Sequence, residues 1–345
     1  MTSPRVRFAA IGLNHDHIYG QTRTLLEAGA ECVACYASEP ELVAAFTRQF
    51  PDVPPAASPE QILDDPSIEL IATAAIPNER AGIAIAAMQR GKNVFSDKPG
   101  CTTLQQLDEL RRVQAETGRI YAIGFGEHFG SRATVRAGEL VQAGAIGRVV
   151  QTSTFGPHRA RAASRPDWFF RKAQYGGILT DIGSHQVEQF LFFTGSVRAE
   201  VASAHAGNFR YPQHPELEDY GDMTVRGDGG MGAIRADWYT PDGLPVWGDG
   251  RLFVLGTDGY IEVRKSVDLA GRQGGGHLFL VDQQGVQYVE TANVELPFGR
   301  QLLADVRQRT ETAMPQARCF LSMQLALEAE AKAIRIGPAL AAASR

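Results

Sequence analysis

The sequence lacks the marks of several large functional classes. It has no excess of positive charge: 34 Lys and Arg stand against 39 Asp and Glu, a formal net charge of −5. That argues against a nucleic-acid or anionic-membrane partner. No apolar run reaches the length of a membrane span. The opening Met1-Thr-Ser-Pro-Arg5 leads into a strand-like run without the apolar stretch of a signal peptide, so the expected compartment is the cytoplasm. Cysteine is scarce. Cys32 and Cys35 have the C-x-x-C spacing, but no second pair completes a zinc site, and residues three apart in a strand point to opposite faces. Together with Cys101 and Cys319 they are expected to be reduced packing residues. There is no G-x-S-x-G elbow, no long repeat and no low-complexity region. His205 and His214 with Glu216, Glu218 and Asp219 match no compact ligand set, so no metal is expected.

What is present suits a soluble globular chain: 345 residues, 44% hydrophobic and 21% charged, enough for about two domains. The first half alternates strictly. Arg5 to Ile11 reads as a buried strand, Ile18 to Leu26 as a helix ended by Gly29, and Glu31 to Tyr36 as a second strand. Helices at Pro40–Phe50 and Pro59–Leu63 follow, then a strand at Glu69–Ala75 ending in the turn signal Ile76-Pro77-Asn78. A helix at Arg80–Arg90, a strand at Asn93–Ser96, a helix at Leu104–Thr117 and a strand at Ile120–Gly124 complete a parallel sheet covered on both faces. Ligands of such sheets lie beyond the carboxyl ends of the strands, where Gly12, Pro77-Asn78 and Asp97-Lys98-Pro99 stand.

The glycine fingerprint of a dinucleotide-binding turn is incomplete here. Gly12 takes the first position, but Asn14 and His17 take the second and third. Asn14 tolerates left-handed backbone, whereas His17 is bulky for close helix–strand packing, and Asp16 adds a negative charge that His15 or His17 would offset only if protonated. Ala37 or Ser38 stands where a ribose-binding acid is expected, which leans toward NADP, while Glu39 supplies a carboxylate slightly late. NAD and NADP both stay open. Lys98, at a strand end before a proline, is either a proton-handling group or a surface lysine in a turn.

The second half changes period. Val135–Gln142 is helical, and a strand at Val149–Phe155 precedes a basic and aromatic loop with His158, Arg159, Arg161, Arg165 and Trp168, which either closes over a ligand or covers the sheet edge. In Tyr175–Gln189 two glycines open a helical pattern whose polar stripe is Asp181, Ser184, His185 and Glu188. Asp181 and His185 are four apart, one turn above each other on a single helix, so a carboxylate can tune an imidazole. The plain alternative is a solvated helix face. Seven short strands between 199 and 290 imply a largely antiparallel sheet. Gly299–Thr312 and Cys319–Ile336 read as closing helices.

Together, the Rossmann-like opening, Asp97-Lys98-Pro99 and Gly176-Gly177 with Asp181, Gly183, His185 and Glu188 resemble the glucose–fructose oxidoreductase / inositol dehydrogenase / rhizopine-catabolism (Gfo/Idh/MocA) family over nearly the whole chain. Asp97 stands where members usually carry Glu, and Glu188 replaces a usual aspartate. The resemblance implies an α/β fold: an N-terminal Rossmann-type parallel sheet (1–124), a C-terminal α+β domain with a largely antiparallel open sheet (125–300), and C-terminal helices (301–345) that pack back on the first domain. It implies hydride transfer between NAD or NADP and a hydroxyl-bearing carbon of a sugar, cyclitol or related polyol. Lys98, Asp181 and His185 would be the catalytic group. Gly12, Leu13, Asn14, His15, Ala37, Ser38, Ile76, Pro77, Asn78, Asp97 and Lys98 would line the cofactor. His128, Arg159, Trp168 and Glu188 would face the substrate. A homo-oligomer, dimer or tetramer, is expected because one face of the antiparallel sheet lacks a helix layer. The alternatives are a non-redox ligand sensor on the same fold and glycoside cleavage through transient oxidation.

Overall fold

The computed structural model describes residues 5–338. The chain forms two compact units, Met1–Gly124 with Pro297–Phe320 and Phe125–Leu296 with Leu321–Arg345. The C-terminal segment is thus divided between the units, and its last residues, 339–345, lie outside the described ones.

The first unit contains β1 (Arg7–Ile11), α1 (His17–Glu27), β2 (Glu31–Tyr36), α2 (Pro40–Gln49), α3 (Pro59–Leu63), β3 (Leu70–Thr73), α4 (Pro77–Gln89), β4 (Asn93–Asp97), α5 (Leu104–Thr117) and β5 (Tyr121–Gly124). Its strands pair in parallel in the order β2-β1-β3-β4-β5. Phe8 to Ile11 and Leu70 to Thr73 are wholly buried, as strands covered on both faces must be. Outside β2, Cys35 makes one parallel bridge to Pro55, with Ala56 N–H donating to the Cys35 carbonyl at 2.8 Å. That bridge occupies the place of a Rossmann sheet's third strand, so the order is 3-2-1-4-5-6 with one strand reduced to a single residue. The order reverses between β1 and β3, which opens the ligand crevice there.

Two sequence expectations change in this unit. Pro77-Asn78 is the first turn of α4, where proline's fixed φ and missing N–H are suited to position N1. β2 carries a bulge that skips Val33, so Cys32 and Cys35 pair with Phe8 and Ala10 and share one face instead of opposite ones. Both thiols are free, and burial pushes them up to about 12 and about 11, so neither is a ready nucleophile.

The second unit begins with α6 (Gly126–Phe129), α7 (Arg132–Gln142) and β6 (Val149–Pro157), followed by short 3-10 turns, α8 (Lys172–Tyr175), α9 (Ile178–Asp181) and α10 (Gly183–Thr194). Then come β7 (Ala199–Gly207), β8 (Tyr220–Gly227), β9 (Met231–Asp237), β10 (Arg251–Gly256), β11 (Tyr260–Arg264), β12 (His277–Asp282) and β13 (Gly285–Val289). α11 (Phe298–Gln308) belongs to the first unit, α12 (Gln316–Lys332) begins there, and β14 (Ile334–Ile336) lies in the second. The nine strands run β13-β12-β11-β10-β6-β9-β8-β7-β14, antiparallel except for β6–β9 and β7–β14. Ile334–Ile336 was expected to be helical. Its Ile-Arg-Ile alternation instead pairs with the open edge of β7.

Helices cover one face of this sheet. Ile178, Leu179, Ile182, Val187 and Phe190 pack on Met223, Val225 and Ile234 and on Leu325 and Ala329 of α12. Ala133 and Ala137 of α7 cover Val254, Ile261 and Leu278. Among the described residues no helix is long and apolar enough to cross a membrane.

Candidate active site

In the first unit the turn after β1 is stitched to both neighbouring strands. Gly12 N–H donates to the Tyr36 carbonyl at 2.9 Å, Ala74 N–H donates to the Gly12 carbonyl at 3.1 Å, and His15 N–H donates to the Ala74 carbonyl at 2.9 Å. Gly12 has φ +78, and a Cβ there would lie 2.4 Å from the Ala75 Cβ, so any other residue is excluded by both backbone and space. Leu13 is buried in the same turn. Asn14 does not take the left-handed backbone expected of it; among the described non-glycine residues only Arg161 and Arg309 have positive φ. Its side chain instead donates to Glu39 Oε1 at 2.8 Å, and Ser38 Oγ donates to Glu39 Oε2 at 2.8 Å. The acid absent from Ala37 and Ser38 is therefore present as Glu39, held in place by two donors. Burial, and then the neighbouring Glu39, raises the pKa of Glu79 in the first turn of α4. Ile76 caps α4 without a side-chain bond, and Asn78 Oδ1 is a buried acceptor with no protein partner among the described residues. A tight glycine turn, two helix N-termini, a ribose-height acid and an orphaned amide oxygen suit a dinucleotide.

His17 fits its crowded position because its ring turns outward. Ile18, Thr22 and Leu25 make the buried face of α1, while His17 Nδ1 lies 2.8 Å from Asp97 Oδ1. Asp97 Oδ2 is 3.0 Å from Nη2 of Arg80, which is fully buried. Burial alone would raise the Asp97 carboxyl; His17 and Arg80 outweigh it and hold it well below the usual carboxylate range. Burial, then His17, keeps His15 well below the ordinary imidazole value. Arg80 also donates to the carbonyls of Ala75 (2.8 Å), Pro99 (3.1 Å) and Lys98, whose peptide bond to Pro99 is cis. The backbone on either side of Lys98 is thereby clamped from one guanidinium. Lys98 itself is 4% exposed, which rules out a surface lysine in a turn.

In the second unit Tyr175–Gln189 is not one helix. α9 ends at Asp181, Ile182 intervenes, and His185 N–H donates to the Ile182 carbonyl at 3.1 Å, so the pitch tightens between Asp181 and His185. Asp181, Ser184, His185 and Glu188 are all buried, which excludes a solvated helix face. The stretch is tied down at its start. Gly177 (φ +92) lets the Glu330 carboxylate approach so closely that a Cβ would meet it at 2.2 Å. Glu330 Oε2 accepts from Leu179 N–H at 3.1 Å, and Glu218 Oε2 accepts from Ile178 N–H at 2.9 Å. These carboxylates complement the orphan amides of the helix start. Lys172 bridges the pair, 2.5 Å from Glu218 and in contact with Glu330, and Arg335 of β14 contacts Glu218. His185 packs edge-on against Phe125, ring centroids 6.0 Å apart.

Beside α10 lies a polar group that sequence reading missed. Glu127 of α6 has Lys265 Nζ at 2.5 Å and His158 Nε2 at 3.8 Å, and its backbone carbonyl accepts from Gln189 Nε2 at 3.1 Å. Burial alone would raise the Glu127 carboxyl; Lys265, then His158 and His185, bring it down to about 2. Its stabilising contribution is complete above the ordinary glutamate value of 4.5 and is lost as pH falls toward 2. Glu127→Gln is expected to flatten this part of the acid limb in pH-dependent urea melts. An unchanged acid limb would show that Glu127 is not charged in the folded protein.

The predicted substrate residues serve other contacts. His128 Nδ1 and Glu188 Oε2 pair at 2.9 Å inside the helix layer, with Phe192 against the imidazole at 4.1 Å, and Glu188 is fully buried. The pair ties α6 to α10. Arg159 donates to the carbonyls of Val246 (2.9 Å) and Leu244 and pairs with Asp242 at 3.0 Å, clamping the 241–247 loop. Trp168 packs against the hydrophobic core. A cavity of about 390 Å³ opens on β8 and β9, lined by Tyr220, Arg235, Asp237 and Tyr239, with none of the predicted residues in its wall. The acid-rich set at 205–219 is dispersed: His205 pairs with Asp222 at 2.9 Å, His214 stacks on Phe170, and Asp219 accepts from the Phe209 and Arg210 amides.

Residues 6–125 match the model of the oxidoreductase family with an NAD-binding Rossmann fold, and residues 134–262 match the GFO/IDH/MocA C-terminal domain. The chain belongs to the GFO/IDH/MocA oxidoreductase family. A solved chain from Erwinia carotovora atroseptica SCRI1043, provisionally classed as an oxidoreductase, is 50% identical over 96% of this chain and 100% of its own, with a TM-score of 0.93. Scyllo-inositol 2-dehydrogenase (NAD(+)) of Bacillus subtilis (strain 168) is 28% identical over 209 residues, 59% of this chain and 57% of that protein. The chain spans only about half the length of such curated relatives. A levoglucosan dehydrogenase solved with NADH and levoglucosan shares the fold at 18% identity, with a TM-score of 0.78 over 95% of this chain and 98% of its own. The first unit of this GFO/IDH/MocA protein is accordingly an NAD-binding Rossmann domain.

Proposed function

We propose that the protein transfers hydride between a nicotinamide cofactor and a secondary alcohol or ketone of a sugar, cyclitol or related polyol. The carrying observation is that Lys98, Asp181 and His185 are only 4%, 9% and 5% exposed, with the Lys98 carbonyl held by Arg80 and the start of α9, which leads to Asp181, held by Glu330. Buried, positioned titratable groups of this kind are a mark of chemistry. When bound, the cofactor supplies the hydride acceptor or donor. His185 takes the hydroxyl proton, Lys98 donates a hydrogen bond to the same oxygen and steadies its developing charge, and Asp181 tunes the imidazole. The clamp on the Lys98 carbonyl and the carboxylates under α9 keep these groups from drifting, which matters because small misplacements are costly. The relatives named for inositol, xylose and levoglucosan support a polyol-type substrate. The reading is tested by a sugar and cyclitol panel, following formation of reduced cofactor by the wild type and by Lys98→Ala. Equal turnover by the two would sink it.

NAD is the preferred cofactor in this reading. Glu39 is oriented by Asn14 and Ser38, and Glu79 stands close enough to feel its charge, so a 2′-phosphate would meet two carboxylates. Fluorescence titration is expected to show NADH binding more tightly than NADPH, and Glu39→Ala is expected to narrow that preference at least tenfold. An unchanged ratio would assign the choice elsewhere. The outer face of the nine-stranded sheet exposes Phe155, Met231 and Leu255, which supports self-association through that face.

A further inference from the structure

From the cluster at the carboxyl end of the first sheet, we infer that His15, His17 and Asp97 form a binding site for a divalent first-row transition ion such as Zn²⁺. The ligand atoms of these three residues lie within 4.8 Å of one another, and this is the one such group of three among the described residues. They come from two strand ends that are not neighbours. His15 and His17 follow β1 and Asp97 closes β4, while β3 lies between these strands and continues into Ala74-Ala75. The cluster therefore spans the end of β3, where small side chains leave room above the sheet.

Each donor is pre-positioned. His15 is fixed through its own amide on the Ala74 carbonyl, and His17 is the first residue of α1. Asp97 Oδ2 faces Arg80 at 3.0 Å, which orients the carboxylate and places Oδ1 2.8 Å from His17 Nδ1. His15 Nδ1 is 3.8 Å from Oδ2 of the same carboxylate. Donors around a bound Zn²⁺ sit at about 2.0–2.2 Å from the ion, so closing the site needs side-chain shifts of about an ångström and no movement of the sheet. Two imidazoles and one carboxylate select zinc, cobalt, nickel or iron over the oxygen-seeking Mg²⁺ and Ca²⁺. Three protein ligands leave a coordination position open, as in ion sites that take a further oxygen ligand. Arg80 behaves as the outer partner that orients a metal-binding carboxylate.

This inference goes beyond hydride transfer and does not depend on it, because the metal alone is the probe. Tag-free full-length protein, stripped with chelator, would be titrated with Zn²⁺ by calorimetry and with Co²⁺ by visible absorption. The expectation is one site per chain, with His17→Ala and His15→Ala each weakening Zn²⁺ binding at least a hundredfold and Asp97→Asn reducing the Co²⁺ bands. His17 is half-exposed, so His17→Ala should melt within a few degrees of the wild type, and melting curves identify any variant that fails to fold. His205→Ala should leave both titrations unchanged. Absence of binding to the wild type would overturn the site, as would binding that survives both histidine substitutions in folded protein or that is lost in His205→Ala.

Discussion

His185→Ala is expected to lower kcat about a thousandfold while leaving the melting temperature within a few degrees, because one general base contributes roughly 10²–10⁴ in rate. The imidazole is buried beside Phe125 and close enough to Glu127 to help hold that carboxylate ionised. In the proposed role its loss removes proton transfer without opening the apolar side of α10, where Val187 and Phe190 make the core contacts. Binding of NADH to the first unit should be unaffected, so KM for the cofactor and kcat separate. A loss confined to KM, with kcat intact, would remove His185 from the chemistry.

The second large effect is structural and sits at the start of the same stretch. Gly177→Ala places a methyl group where the Glu330 carboxylate lies and forces a side chain into φ +92, ψ 157, a region open essentially to glycine alone. The buried carboxylate must move, taking with it the bond to Leu179 and its contact with Lys172. Strain of about 1–3 kcal/mol adds to the cost of disturbing a buried ion pair, about 3–5 kcal/mol when one partner is lost. We expect about 4 kcal/mol of destabilisation, a fall of roughly 10 °C in Tm. Gly195→Ala is the internal control: it also has positive φ, at +67, but a Cβ there meets nothing within 4 Å, so it should cost only about 1–2 kcal/mol. Similar losses for both variants in thermal melts would show that backbone strain, and not the Glu330 contact, is what Gly177 protects.

These contacts mark what a single sequence conveys and what it does not. The alternation of the first unit was legible because each buried strand is a short apolar run ended by glycine, proline or a polar turn, and each such signal is local. The strands of the second unit were legible from their alternation and from turns such as Asp258-Gly259. The burial of Lys98 and His185 followed from neither signal. It is set by tertiary packing, as are the contacts of Arg80 with the Lys98 carbonyl and of Glu330 with the start of α9. Glu127 carries no local sequence signal although it adjoins His128, because its partner Lys265 is 138 residues away. The bulge at Val33 reversed the parity of Cys32 and Cys35, and the break at Ile182 interrupted a helical pattern that looked continuous. Asn14 acts through its side chain and not through its backbone tolerance, by a bond to Glu39 that crosses from one strand end to the next.

The proposed reaction is direct hydride transfer from a carbon bearing a hydroxyl. It is tested most directly with the polyol that turns over best in the panel, deuterated at the reacting carbon and incubated with NAD⁺ and the wild-type protein. The deuterium is expected at C4 of the reduced nicotinamide, undiluted by solvent hydrogen. Reduced cofactor without label at C4, or label released to water, would contradict it.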